Sequence, residues 1–214
     1  MEFIWVVPRT ALFPRAGVHG LCPLSGPDFE ERFLQPAREE GFFMERRYAE
    51  THPDYKQPIP YVAVMQENRV LCLTRLGKQE EARLHGKRSI GVGGHINPCD
   101  SPQNGEEDLF LNACQRELHE ELVLPTTAPL SLTPLGLLND DTTEVGAVHV
   151  GVVYALDATG MDVSIRETDA MAGEFESLSD LTQAARDGSQ NFESWSELLL
   201  RSKVLTPLGQ TVTL

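Results

Sequence analysis

Six consecutive residues, Arg116-Glu117-Leu118-His119-Glu120-Glu121, concentrate the groups best suited to chemistry in this chain. Glu117, Glu120 and Glu121 stand at i, i+3 and i+4, which on a helix turning about 100° per residue places them within an arc of roughly 100° on one face. Like charges at that spacing oppose a helix by a few tenths of a kcal/mol, and Arg116 alone does not neutralise three carboxylates. The bland reading is a solvated glutamate face. The chemical reading is a divalent cation as counter-charge. All-oxygen donors select hard ions, Mg²⁺ first and Mn²⁺ next, and Mg²⁺ bound by a few carboxylates keeps positions for water and phosphate oxygens. The substrate so implied carries a phosphate or diphosphate.

The element that must position these groups is a helix read from Leu109 to Leu122, a stretch without a breaker that ends before Pro125. Leu111, Cys114, Leu118 and Leu122 form an apolar stripe beside the carboxylates. Upstream, Tyr61-Val-Ala-Val-Met65 and Val70-Leu-Cys-Leu-Thr74 read as a hairpin, and Ser89 to Val92 as a further strand. Gly91-Val-Gly-Gly94 then opens a long loop with Pro98, Pro102 and Gly105. Downstream, Leu135 to Leu138 and Val145 to Leu156 read as strands, the second turning Val148, Val150, Val152 and Tyr154 to one face and His149 to the other. Ser177 to Arg186 reads as a helix capped by Ser177 or Ser179, and Phe192, Trp195 and Leu199 mark another. In the proline-rich N-terminal part, Phe3 to Val7 reads as a strand, Asp28 to Leu34 as a helix stopped near Pro36, and Thr51 to Pro60 as turn-rich.

The 214 residues suit one globular domain, and 41% hydrophobic with 23% charged residues excludes disorder and fibrous repeats. A net charge of −14 repels a phosphate backbone, so nucleic acid is not the expected partner. The apolar runs are too short to span a bilayer and the N-terminus is not a leader, so a cytoplasmic protein is expected. Four cysteines without a CxxC pair read as free thiols. His95, His119 and His149 with Cys99 and Cys114 do not form a zinc spacing, since Cys114 and His119 lie about 140° apart on their helix. His95 and His149 are candidates to line a pocket. Five basic residues (Arg75, Lys78, Arg83, Lys87, Arg88) lie between the hairpin and Ser89, as a solvated loop or a phosphate-binding patch. There is no Gly-x-Ser-x-Gly, Walker or dinucleotide fingerprint.

Arg116-Glu-Leu-His-Glu-Glu121 resembles the core R-E-U-x-E-E of the Nudix hydrolases, within the pattern G-x5-E-x7-R-E-U-x-E-E-x-G-U, where U is aliphatic. The hairpin, the Gly93-Gly94 strand end, the loop and the glutamate helix are also similar, over roughly residues 60 to 186. Asp108 stands at the family's first Glu, Pro102 at its first Gly and Val123 at its second. Gly105-Glu106 is the alternative Gly-Glu, two residues further from the arginine. Tyr55-Lys-Gln-Pro-Ile-Pro-Tyr61, Gly93-Gly-His-Ile-Asn-Pro98 and Val148-His-Val-Gly151 resemble a bacterial branch described as phosphoesterases. The resemblance implies an α+β fold, an α/β/α sandwich with a mixed central sheet over residues 59–214. Residues 1–58 would be an N-terminal extension packed on it or covering the pocket. It further implies that Glu117, Glu120 and Glu121 bind Mg²⁺, that Arg116 orients a glutamate, and that Gly94 lets the backbone approach at the strand end. Glu174 would be an acidic residue on a late loop, able to bind metal or act as base. The implied activity is cleavage of a diphosphate bond in a nucleoside diphosphate linked to another group, by a homodimer. Rival readings are a nucleotide-binding regulatory module and a phosphomonoesterase.

Overall fold

One long strand organises the sheet. In the computed structural model, which describes residues 1–13, 19–76, 86–102, 108–125, 130–166, 168–169 and 171–205, β1 (Phe3–Pro8), α1 (Arg9–Leu12), β2 (Gly20–Pro23), α2 (Gly26–Phe29), α3 (Gln35–Glu40), β3 (Phe42–Glu45) and α4 (Arg46–Ala49) lead into β4 (Tyr55–Gln66). Then follow β5 (Arg69–Arg75), β6 (Arg88–Ser89), α5 (Leu109–Glu121), β7 (Leu122–Val123), β8 (Leu132–Asn139), α6 (Glu144–Val148) and β9 (His149–Asp157). The chain continues with β10 (Ser164–Ile165), β11 (Met171–Ser177), α7 (Leu178–Asp187) and α8 (Ser194–Ser202). The main path through the mixed sheet runs β11-β5-β4-β9-β8-β2, with β4 and β9 parallel and the other neighbours antiparallel. The fold is α+β, as the resemblance implied.

Strict alternation along β4 divides the core. Val62 and Val64 face a cluster with Phe110, Cys114 and Leu118 of α5. Tyr61, Ala63 and Met65 face the opposite cluster with Leu181 of α7 and Leu199 of α8. Each side chain so buried contributes about 1.5–3 kcal/mol, which makes these two layers the main source of stability. Among the described residues no helix is long and apolar enough to cross a membrane.

β4 begins at Tyr55, within the stretch read as turns, despite Pro58 and Pro60. These prolines share parity with Val62, whose N–H and C=O bond to Val92 rather than to β9. Their missing N–H groups therefore fall on the edge away from β9, where no ladder bond is lost. The helix expected to stop near Pro36 runs on to Glu40, because a wider π turn over Glu30–Leu34 precedes the proline. A regular turn there would require the N–H that Pro36 lacks and drive its ring into the Arg32 carbonyl. The strand expected from Val145 begins only at His149. Thr143 caps α6 by accepting from Gly146 N at 2.9 Å, and that short helix takes up the first part of the apolar run. Residues 1–58 contribute β1, which pairs with the start of β4, and Phe33, whose ring meets Phe110 at 5.2 Å.

Candidate active site

α5 forms where expected and is started by Asp108, whose Oδ1 accepts from Phe110 N at 2.9 Å and Leu111 N at 3.1 Å. Asp108 also pairs with Arg38. This carboxylate is a helix cap at the end of α5 remote from the glutamates. Its alternative, Glu106, lies outside the described residues. Leu111, placed on the apolar stripe from sequence, is exposed, and the stripe runs instead through Phe110, Ala113, Cys114 and Leu118. Glu117 follows Cys114 by three residues and Glu121 follows Leu118 by three, so both sit on the core side of the helix and are half-buried, while Glu120 is exposed.

Arg116 is the hub of the site. Its Nε donates to Asp100 Oδ1 at 2.7 Å and its Nη2 to Asp100 Oδ2 at 2.9 Å, a bidentate pair. Nη2 also donates to the His95 carbonyl at 2.8 Å, and Nη1 to Glu117 at 2.7 Å and Glu120 at 3.2 Å. The hydrogen bonds to Asp100 above all hold the guanidinium protonated. Burial nonetheless raises the Glu117 carboxyl above its ordinary range, because one arginine only partly compensates it. Gly94 lies against this carboxylate: a Cβ there would meet Glu117 Oε1 at 2.4 Å.

Asp100 was not identified from sequence. It is almost fully buried, and it closes a 3₁₀ turn (Pro98–Asp100) in which the Asn97 N–H donates to its Oδ2 at 2.7 Å. The legible signal was Asn97-Pro98-Cys99-Asp100, a cap residue, a proline at the first position and an acid at the third. The exit from α5, where the family pattern has glycine and this chain has Val123, is built by pairing β7 with β10. Arg166 then serves the helix end: its backbone N–H donates to Glu121 O at 2.9 Å, Nε to His119 O at 2.8 Å and Nη2 to Leu122 O at 3.2 Å.

Beside Gly94 opens a cavity of about 720 Å³. Gly93 packs so closely on β4 that a Cβ would meet Pro60 O at 1.7 Å, which brings the loop onto the ladder-free edge left by the prolines. His95 and His149 both line the cavity. His149 Nδ1 lies 2.7 Å from Val145 O and must donate there, which leaves its Nε2 to accept from His95 Nε2–H at 3.2 Å. His95 Nε2 also lies 3.0 Å from Gln57 Oε1. Burial, then the charge of Arg46, pushes the His95 imidazole down to about 3, and burial lowers His149 as well, so both rings are neutral. Under α6, the fully buried Lys56 ammonium donates to Asp141 Oδ1 at 2.7 Å and to the carbonyls of Gly146 and His149. Asp141 also pairs with Arg9, which ties the first helix to the cavity wall.

Glu174 lies elsewhere. It is exposed on β11, directly opposite Cys72. Cys72 belongs to the α7–α8 cluster, so Glu174 projects to that side of the sheet and the α5 glutamates to the other. Of the basic residues, Arg88 is paired with Glu176 and Lys87 lines the cavity. Lys78 and Arg83 lie outside the described residues, as does the Arg75 side chain. The four cysteines are free.

No family model matches the chain. Over 200 residues it is 39% identical to Protein YmaB of Bacillus subtilis, across 93% of this chain and 96% of that protein. Among solved structures, it is similar to Tm1382, assigned as a Nudix hydrolase, with TM-score 0.74 and 29% identity over 95% of this chain and 98% of that one. A NUDIX hydrolase from Alicyclobacillus acidocaldarius shares the fold at TM-score 0.54 and 14% identity, over 71% of this chain and 92% of that one. The similarity to Tm1382 runs nearly end to end, and together with the Arg116-Glu-Leu-His-Glu-Glu121 motif carried on α5 it places the chain among the Nudix hydrolases.

Proposed function

We propose that this protein hydrolyses a diphosphate bond in a nucleoside diphosphate linked to a second group, with Mg²⁺ as its ion and Mn²⁺ as a substitute. The observation that carries the reading is the placement of Glu117. Its half-buried carboxylate, bonded to Arg116, is drawn onto α5's core side against the bare backbone of Gly94, which lines the cavity.

Among the described residues no three His, Cys, Asp or Glu side chains stand together as a closed metal-binding group, and Arg116 Nη1 bridges Glu117 and Glu120. The donor chemistry nevertheless fits a hard divalent ion: carboxylate oxygens in excess over cations, without a thiolate or imidazole among them. Glu117, Glu120 and Glu121 would hold the ion. Bound there, it would neutralise charge on the phosphate oxygens and acidify the attacking water. Arg116, fixed by Asp100, holds Glu117 and Glu120 together through its Nη1. A carboxylate of the triplet, Glu120 or Glu121, accepts the proton of the water that attacks phosphorus. Glu174, expected as a base from the family resemblance, projects from the other side of the sheet and has no part in this reading. Lys87, which lines the cavity, would meet a phosphate there. The net charge of −14 favours a small nucleotide-type substrate over a nucleic acid.

The test is chromatographic product analysis after incubation with Mg²⁺ and a panel of nucleoside triphosphates, nucleotide sugars, dinucleotides and phosphomonoesters, with EDTA controls. Metal-dependent cleavage between two phosphorus atoms is expected. Cleavage of monoesters alone would replace the reading by a phosphomonoesterase. Ligand binding without any turnover would replace it by a binding module.

A further inference from the structure

The cavity wall away from α5 carries a second prepared group. Glu193 lines the cavity just before α8, and its Oε1 lies 2.7 Å from Tyr61 Oη, 2.5 Å from Ser89 Oγ and 3.1 Å from Ser196 Oγ. All three hydroxyls are buried, and they come from β4, β6 and α8. The Glu193 side chain caps no backbone N–H of α8, and among the described residues its Oε2 accepts no hydrogen bond. Tyr61 and Ser89 donate to Oε1 and Ser196, 2.7 Å from Tyr61 Oη, closes the cluster, so one oxygen is held and the direction of the other is fixed. Two residues on, Trp195 also lines the cavity. Its ring stands edge-to-face on Tyr61 at 5.6 Å between centroids, backed by Gly151, where a Cβ would lie 3.3 Å from the indole. A rigid aromatic face beside an oriented acceptor suits a flat-faced ring that carries two neighbouring donors.

We propose that Glu193 and Trp195 form the subsite for the organic part of the substrate, a ring with adjacent N–H or O–H donors, as on the edge of guanine or the vicinal hydroxyls of a sugar. The ring would lie against the indole and donate to Glu193 Oε2. This assignment rests on the proposed diphosphate cleavage, whose reacting end lies at Gly94, and it adds what occupies the rest of the cavity.

Trp195 reports on its own site. The chain has two tryptophans, and the other, Trp5, has a buried Nε1 without a hydrogen-bond partner, so Trp5→Phe removes an orphan donor and leaves Trp195 as the sole indole. Fluorescence titrations of the Trp5→Phe protein in EDTA, where metal-dependent turnover is absent, would use deoxyguanosine monophosphate, glucose 1-phosphate and phenyl phosphate. One of the first two should quench Trp195 at concentrations where phenyl phosphate, an aromatic without donors, does not. Which of them does so identifies base or sugar. Glu193→Gln should weaken that binding by about tenfold or more, the worth of a hydrogen bond to a charged acceptor. If Glu193→Gln does not fold, the N1-methylated or O-methylated form of the active probe takes its place and should bind with the same loss. Equal affinity in the variant, equal affinity for phenyl phosphate, or no quenching by any probe would overturn the subsite. Because binding is read without turnover, such a result leaves diphosphate cleavage standing. Binding as expected with no hydrolysis would instead overturn the cleavage and leave the subsite.

Discussion

Two regions meet at Gly93 and Gly94 and are built in opposite ways. On the α5 side, charge is held by charge: Arg116 is gripped by Asp100 and in turn grips Glu117 and Glu120. On the cavity side, neutral donors do the positioning: Tyr61, Ser89 and Ser196 order Glu193, while His95 and His149 share a hydrogen bond as neutral rings. Under the proposed function the first region would take up an external cation beside its internal one. The geometry of the second is preset by buried hydroxyls. The proposed ion site and the proposed organic subsite call for this difference, since ion binding tolerates rearrangement of carboxylates and discrimination between organic groups requires fixed donors and acceptors.

The largest effect should come from breaking the ionic side. Arg116→Ala leaves Asp100, whose side chain is only 2% exposed, charged and unpaired. A loss of about 3–5 kcal/mol is expected in urea unfolding, as for other buried pairs deprived of one partner. Arg116→Lys should recover only part of it, because an ammonium cannot make the bidentate contact. A loss below about 1 kcal/mol would show that the two regions are not held differently.

The cavity side should show itself in pH dependence. The folded chain keeps His95 neutral down to about pH 3, while the unfolded chain takes up that proton near the ordinary value of 6.5. Between these values the unfolded state binds more protons, so the contribution is complete above pH 6.5 and is lost as pH falls towards 3. For this one ring the loss is roughly 2 kcal/mol between pH 7 and pH 5. His95→Gln should flatten the stability profile measured by urea unfolding across that range; an unchanged slope would mean that the ring is protonated in the folded chain.

The two regions were also unequally legible. The carboxylate triplet is local, six consecutive residues on one helix, and its periodicity and spacing were sufficient to locate it. Asp100, sixteen residues from Arg116, was written only as a cap pattern in a proline-containing loop. Glu193 meets Tyr61 across 132 residues and Ser89 across 104, and no periodicity encodes such a meeting. The same reason explains β4, whose prolines argued against a strand until their parity with Val62 put the missing donors on an unpaired edge. Trp195 was read as a helix-face residue, and only the packing of α8 on the sheet turned it to the cavity.

A smaller effect should sharpen the boundary between the regions. In Gly94→Ala, the new Cβ would crowd the Glu117 carboxylate while leaving the Glu193 wall untouched. Metal-dependent turnover should fall about tenfold or more, or about 1.4 kcal/mol in the barrier, with thermal stability nearly unchanged. Initial rates and a melting curve on the same preparation would show it; full activity would mean that the carboxylate moves aside freely. Smallest of all should be Val123→Gly, which restores the family's residue. The helix exit is already built by β7, β10 and Arg166, so glycine should cost about 0.5–1 kcal/mol in urea unfolding through added backbone freedom. A gain in stability would show that the exit is strained by valine.

The most direct test of the central claim is a comparison of the unmodified protein with Glu121→Gln on the substrate found active in Mg²⁺, measuring turnover and the affinity for that substrate without turnover. The expected result is loss of turnover by at least about a hundredfold, with affinity largely retained, as when a group acting in the transition state is removed. Turnover at an undiminished rate in Glu121→Gln would contradict the account and remove the α5 glutamates from the chemistry.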